Sequence, residues 1–222
     1  MSALLRYQLA LLARSQRWLA PVLLYTAFLA IGVQGGQPVL DSLGYGSAVL
    51  LPVAAWLVRV CVTNEPPAAR HCAAAATGPG RAHLAALLTA FCCTAALGVL
   101  GTALVLVISK WTDTGGAVRI APLTAGGAGL LAAVVCALLG TAVGALCNWP
   151  LLRSTGWGVV LTALGALLAL VTVGSPARSV ITDLVTGSHT GTVSLPFLPL
   201  ALAVLVAGGA GATACALSSR RP

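Results

Sequence analysis

The stretch Thr63-Asn64-Glu65-Pro66-Pro67-Ala68-Ala69-Arg70-His71-Cys72 continues through Ala73–Ala76 and Thr77 to Gly78-Pro79-Gly80-Arg81. It is a long polar break between two apolar runs, and it has the grammar of a short helix. Thr63 or Asn64 is placed to cap the N-terminus, and Glu65 suits the positive end of the helix dipole. Pro66 and Pro67 are tolerated in a first turn, whose amides have no intrahelical acceptor. Gly78 followed by Pro79 is a stop signal. A helix capped at both ends between two membrane spans reads as a docking surface.

The runs on either side identify the solvent. Of 222 residues, 59% are hydrophobic and 7% charged, and the mean hydropathy is +0.99. Soluble domains carry about 25% charged residues, so the chain is an integral membrane protein. The net charge of +8 does not indicate nucleic acid, because the basic residues are scattered between apolar runs. The preference for arginine over lysine, with abundant Ala, Gly, Leu and Val, is the usage of a high-GC bacterial genome.

Apolar segments at 18–34, 45–62, 83–108, 122–147, 157–174 and 195–217 predict six transmembrane helices in an all-α, polytopic, single-domain fold. Each approaches the about 20 residues a spanning helix needs. Basic residues set the orientation. With the N-terminus inside, Arg6, Arg14, Arg17, Arg59, Arg70, Arg81, Arg153, Arg220 and Arg221 share the inner side with one acid, Glu65. Lys110, Arg119 and Arg178 share the outer side with Asp41, Asp113 and Asp183. This bias puts both termini and segment 63–82 in the cytoplasm of a plasma-membrane protein. The other inner connection, 148–155, is brief.

Residues 2–18 precede the first span. Arg6, Arg14 and Arg17 fall on one helical face with Leu4, Leu5, Leu11 and Leu12 broadly opposite, though Gln8 and Ser15 interrupt the apolar side. This pattern suits a helix in the inner membrane interface, anchored by the arginines and by Trp18 at headgroup level. Beyond the fifth span, Ser175-Pro176 starts and Gly187 stops a short helix lying in or dipping into the outer leaflet, with a plain exposed loop as the alternative.

No Asp, Glu, Lys or Arg falls at mid-membrane depth in these segments. A charge there costs about 2.5–3.5 kcal/mol and is kept for function, so an ion-coupled carrier is disfavoured. The chain has no HExxH, no Gly-x-Ser-x-Gly and no Walker A motif, and its single lysine, Lys110, faces outward. It is therefore expected to be neither an enzyme nor an ATPase. His71, His83 and His189 suit no metal site, and the seven cysteines, without CxxC spacing, read as small hydrophobes and not as a disulfide framework. Gly140-x-x-x-Gly144, and Gly208 with Gly209 and Gly211, permit close helix approach within the bundle or across a dimer.

An arginine-bearing interfacial helix, six spans, a helical second-to-third inner connection and a short helix before the last span together resemble a membrane permease of the type-2 exporter group of ATP-binding-cassette (ABC) transporters. The local echo is Glu65-Pro66-Pro67-Ala68-Ala69-Arg70 running into Gly78-Pro79-Gly80-Arg81-Ala82-His83-Leu84, similar to the intracellular loop that contacts the ATPase subunit. The resemblance implies an ABC ATPase partner that uses ATP and Mg, a second permease subunit (the same or a different chain), and no cofactor on this chain. On a helix from Glu65, Ala68, Ala69, Cys72, Ala73 and Ala76 share a small-residue face from which Arg70 and His71 point away, with Glu65 and Arg70 as charged contacts at its edge. The expected function is ATP-driven export of an apolar or amphipathic substrate. The alternative is a non-transporting assembly or immunity subunit. The small outer region and the brief 148–155 connection depart from the family pattern.

Overall fold

The computed structural model describes residues 1–116, 118–148 and 155–220. Arg153 and Arg221, counted above on the inner side, lie outside the described residues, as does most of the 148–155 connection. Helices account for nearly all of the rest: α1 Ser2–Ser15, α2 Leu19–Gly32, α3 Val39–Thr63, α4 Pro67–Thr77, α5 Pro79–Ile108, α6 Pro122–Leu146, α7 Thr155–Val171, α8 Pro176–Thr190 and α9 Phe197–Arg220. Among the described residues there is no strand, only isolated bridges pairing Pro38 with Lys110 and Thr112 with Arg119.

Among the described residues, four helices are long and apolar enough to cross a membrane: α3, α5, α6 and α9. The α7–α8 pair, bent by 47°, makes a fifth if it is one span, whereas α2 is a shorter apolar helix. The molecule is thus an all-helical, multi-pass membrane protein. In their most apolar windows α3 and α6 are 67% and 61% buried, against 28% for α5 and 17% for α9. The bundle is therefore built around the α3–α6 pair, with α5 and α9 presenting most of their surface outward.

Small residues explain that pairing. A Cβ on Gly140 would overlap the Leu51 carbonyl and Ala54, and one on Gly144 would meet Val58 and the Ala55 carbonyl within 3 Å. Lipid tails are as apolar as leucine, so helices associate in the membrane through close backbone approach. Gly140 and Gly144 supply that approach inside the bundle. A Cβ on Gly208, Gly209 or Gly211 of α9 would meet nothing within 4 Å.

Several boundaries differ from the sequence reading. Helix α3 starts six residues before the expected 45, because Pro38 extends into an N-cap and Asp41 sits in the first turn. Helix α5 starts at Pro79, four residues before the expected 83, because Gly78 (φ 91°) is at once the last cap of α4 and the first of α5. Helix α8 passes through Gly187 and ends at the left-handed Gly191. Gly187 is required instead for packing, since its Cβ would strike the Thr192 carbonyl and approach Leu40 at 3.3 Å.

The α7–α8 bend has a visible support. Arg178 Nη1 donates to the Val171 carbonyl at the end of α7 at 2.7 Å, satisfying one of the acceptors a helix C-terminus leaves open. Gly44 of α3 meets Leu184 and Val185, and Gly187 meets Leu40. Helix α8 therefore runs antiparallel to the first turns of α3, with Ala177, Val180 and Leu184 buried. It is a packed part of the bundle and not an exposed loop.

Candidate functional site

The turn between α3 and α4 is where the polar groups of this chain converge. Thr63 ends α3, its hydroxyl donating to the Arg59 carbonyl at 2.8 Å. Asn64 does not cap α4: its side chain donates to the Leu11 carbonyl of α1 at 3.2 Å. Glu65 precedes α4 instead of occupying its first turn, because Pro66 is the N-cap and Pro67 the first helical residue. The Glu65 side chain is buried and accepts a bond from Gln8 Nε2 at 3.3 Å. Gln8, which interrupts the apolar side of α1, is itself buried for that reason.

Helix α1 accordingly rests on protein along its leucine side. Leu12 is buried in a cluster with Val58, Cys61, Ala86, Leu87 and Ala90 of α3 and α5. Leu4, Leu5 and Leu11 are half-buried and Arg6 and Arg14 are exposed, whereas Arg17, expected on the same helical face, is exposed beyond the end of α1 at the left-handed Gln16. Tyr7 lies beside Glu65. Its phenol is held above the ordinary range, by burial first and then by the neighbouring carboxylate.

Arg70 turns away from the exposed side of α4, whereas His71, expected to turn away from the small-residue face with it, lies on the exposed side beside Cys72. Arg70 is half-buried and donates to the Val62 carbonyl at 2.9 Å and the Glu65 carbonyl at 3.2 Å. Val62 lies in the last turn of α3, so the guanidinium caps the negative end of that helix. Helix α4 is divided along its length. Ala69, Arg70, Ala73, Ala74 and Thr77 are half-buried on one side, while Ala68, His71, Cys72, Ala75 and Ala76 form a continuous exposed stripe on the other. Of the predicted contact residues, Cys72 lies on the open stripe, Ala69 and Ala73 turn toward the bundle, and Glu65 and Arg70 hold the helix from behind.

The remaining predicted residues lie elsewhere. Trp18 is half-buried at the α1–α2 junction and lines an apolar groove of about 400 Å³ with Leu9, Leu12, Val22, Cys93 and Leu97. Sequence reading gave Arg59 only a place on the inner side. Its Nη1 donates to Asn148 Oδ1 at 2.9 Å, and Asn148 Nδ2 donates to the Gly144 carbonyl at 2.8 Å. This links the inner ends of α3 and α6 across 89 residues of sequence. A signal for it existed in an arginine inside an apolar run, but nothing local named its partner. Among the described residues no group of three or more His, Cys, Asp or Glu side chains is placed to hold a metal ion.

Set against known proteins, the chain matches no family model, no curated protein and no solved structure.

Proposed function

We propose that this chain is the membrane-spanning subunit of an ATP-driven exporter of the ABC type-2 group, and that α4 is the element on which a separate ATPase subunit seats. The observation that carries the reading is the mounting of α4. One side is fixed to the middle of α1 and the end of α3 by the Glu65 turn and Arg70, and the other presents Ala68, Cys72, Ala75 and Ala76, with His71 among them, over which a partner's backbone can approach. A helix held this way passes a displacement to the bundle instead of absorbing it.

In this reading there are six crossings: α2, α3, α5, α6, the bent α7–α8 pair and α9. Both termini are cytoplasmic, as the basic residues favour. The partner binds ATP and Mg, and a second permease subunit completes the transporter. Substrate contacts come from aliphatic, glycine and hydroxyl side chains, which suit an apolar or amphipathic molecule.

The test is to establish whether an adjacent reading frame encodes a Walker-type ATPase, then to co-express the two chains, purify by affinity and measure ATP hydrolysis. The ATPase is expected to co-purify and to change its hydrolysis rate. Ala76→Trp, which fills the open stripe, is expected to abolish association without loss of membrane insertion. Absence of association with the unaltered chain would favour a non-transporting assembly or immunity subunit.

A further inference from the structure

Inside the bundle, three buried residues that carry side-chain hydroxyls come together around one cavity. Tyr25 of α2, Ser47 of α3 and Thr102 of α5 are 3%, 4% and 6% exposed. They line one small cavity together with Gly46, Gly101 and Ala133. It offers the centre of a water molecule about 10 Å³, and polar atoms make up much of its wall. That is close to the volume one water needs.

How the hydroxyls are used distinguishes this place from the rest of the bundle. A serine or threonine in a helix usually donates to a carbonyl three or four residues back. Ser42, Thr89, Thr94 and Thr162 do so at 3.2, 2.8, 2.8 and 2.6 Å. Among the described residues, no protein group is hydrogen-bonded to the side chain of Ser47, Thr102 or Tyr25. The backbone is shaped for this gathering: a Cβ at Gly101 would overlap the Tyr25 hydroxyl. Buried polar groups without a protein partner are normally satisfied by an ordered water or an ion.

We propose that Tyr25, Ser47 and Thr102 form a binding site for a single water molecule that bridges α2 to α3 and α5. The chemistry selects water over a cation. Three neutral hydroxyls match the two to four partners of a buried water, whereas Ca²⁺ or Mg²⁺ requires about six oxygens, normally including carboxylates. The bridge matters for α2 in particular. Leu23, Leu24, Phe28 and Ile31 all face outward. Among the described residues the one side-chain hydrogen bond made on α2, from Thr26 to the Leu23 carbonyl, stays within the helix.

The experiment is a crystal structure of the full chain in a lipid phase, at a resolution that resolves ordered water, with melting curves of two variants. One density peak is expected within hydrogen-bonding distance of all three hydroxyls, and it should vanish in Ser47→Ala/Thr102→Val. A cavity without that peak, with Ser47 and Thr102 instead donating to the Leu43 and Gly98 carbonyls, would overturn the site. Thr102→Val keeps the side-chain shape and is expected to lower the melting midpoint by about 2–4 °C, and Tyr25→Phe likewise. Replacing an unsatisfied hydroxyl in a dry cavity by a methyl group would raise the midpoint or leave it unchanged, and either result would overturn the bridge.

Discussion

Glu65 faces Gln8 across 3.3 Å and not water, which makes it part of the attachment of α1. Glu65→Ala leaves the Gln8 amide, 3% exposed, buried without its acceptor, at a cost of about 1–3 kcal/mol. Glu65→Gln retains an acceptor and is expected to cost less, and thermal denaturation of the two variants measures the difference. Tyr7 gives a second readout. The folded chain favours its protonated phenol, so the stability Tyr7 contributes is whole below about pH 10 and is lost as pH rises through its raised value. In Glu65→Gln the carboxylate's share of that shift is gone. Tyrosinate absorbance, assigned by subtraction of Tyr7→Phe, should then appear at lower pH than in the unaltered chain. An unmoved titration would mean that Glu65 does not act on Tyr7. None of this was legible locally: Gln8 looked like a flaw in an apolar stripe and Asn64 like a cap, because their partners lie 57 and 53 residues away.

Helix α4 and the α3–α6 pair separate what local sequence fixes from what it leaves open. The end of α4 was legible because Gly78 adopts a φ of 91°, a conformation that favours glycine, and Pro79 suits the first position of the next helix. Its start was not, because two successive prolines delay the helix and Asn64 is drawn to α1. The Gly140 and Gly144 spacing was equally visible, yet only the packed structure tells which surface it serves. Gly140→Ala or Gly144→Ala is expected to destabilise the bundle by about 1–3 kcal/mol, through forced separation of α6 from α3. Gly208→Ala, which meets open space, should be neutral or stabilising by up to about 1 kcal/mol, since alanine is the better helix former. Denaturation midpoints in detergent compare the three. Equal losses at all three positions would contradict the placement of α9.

At the scale of the molecule, hydropathy and charge distribution indicated an all-helical, multi-pass chain, but they could not join α7 to α8. A bend of 47° braced by Arg178 on Val171 is a tertiary feature, and Pro176 in the sequence permits either a break or a new helix. The central claim is that α4 stands in the cytoplasm with its small-residue stripe open to an ATPase subunit. Cys72 lies exposed on that stripe. The most direct test is the rate at which a membrane-impermeant maleimide labels a variant whose only thiol is Cys72, in intact cells and in inside-out vesicles, with and without the ATPase. Labelling is expected only in inside-out vesicles, slowed several-fold when the ATPase is bound. Labelling from the outer face, or a rate indifferent to the ATPase, would contradict the account.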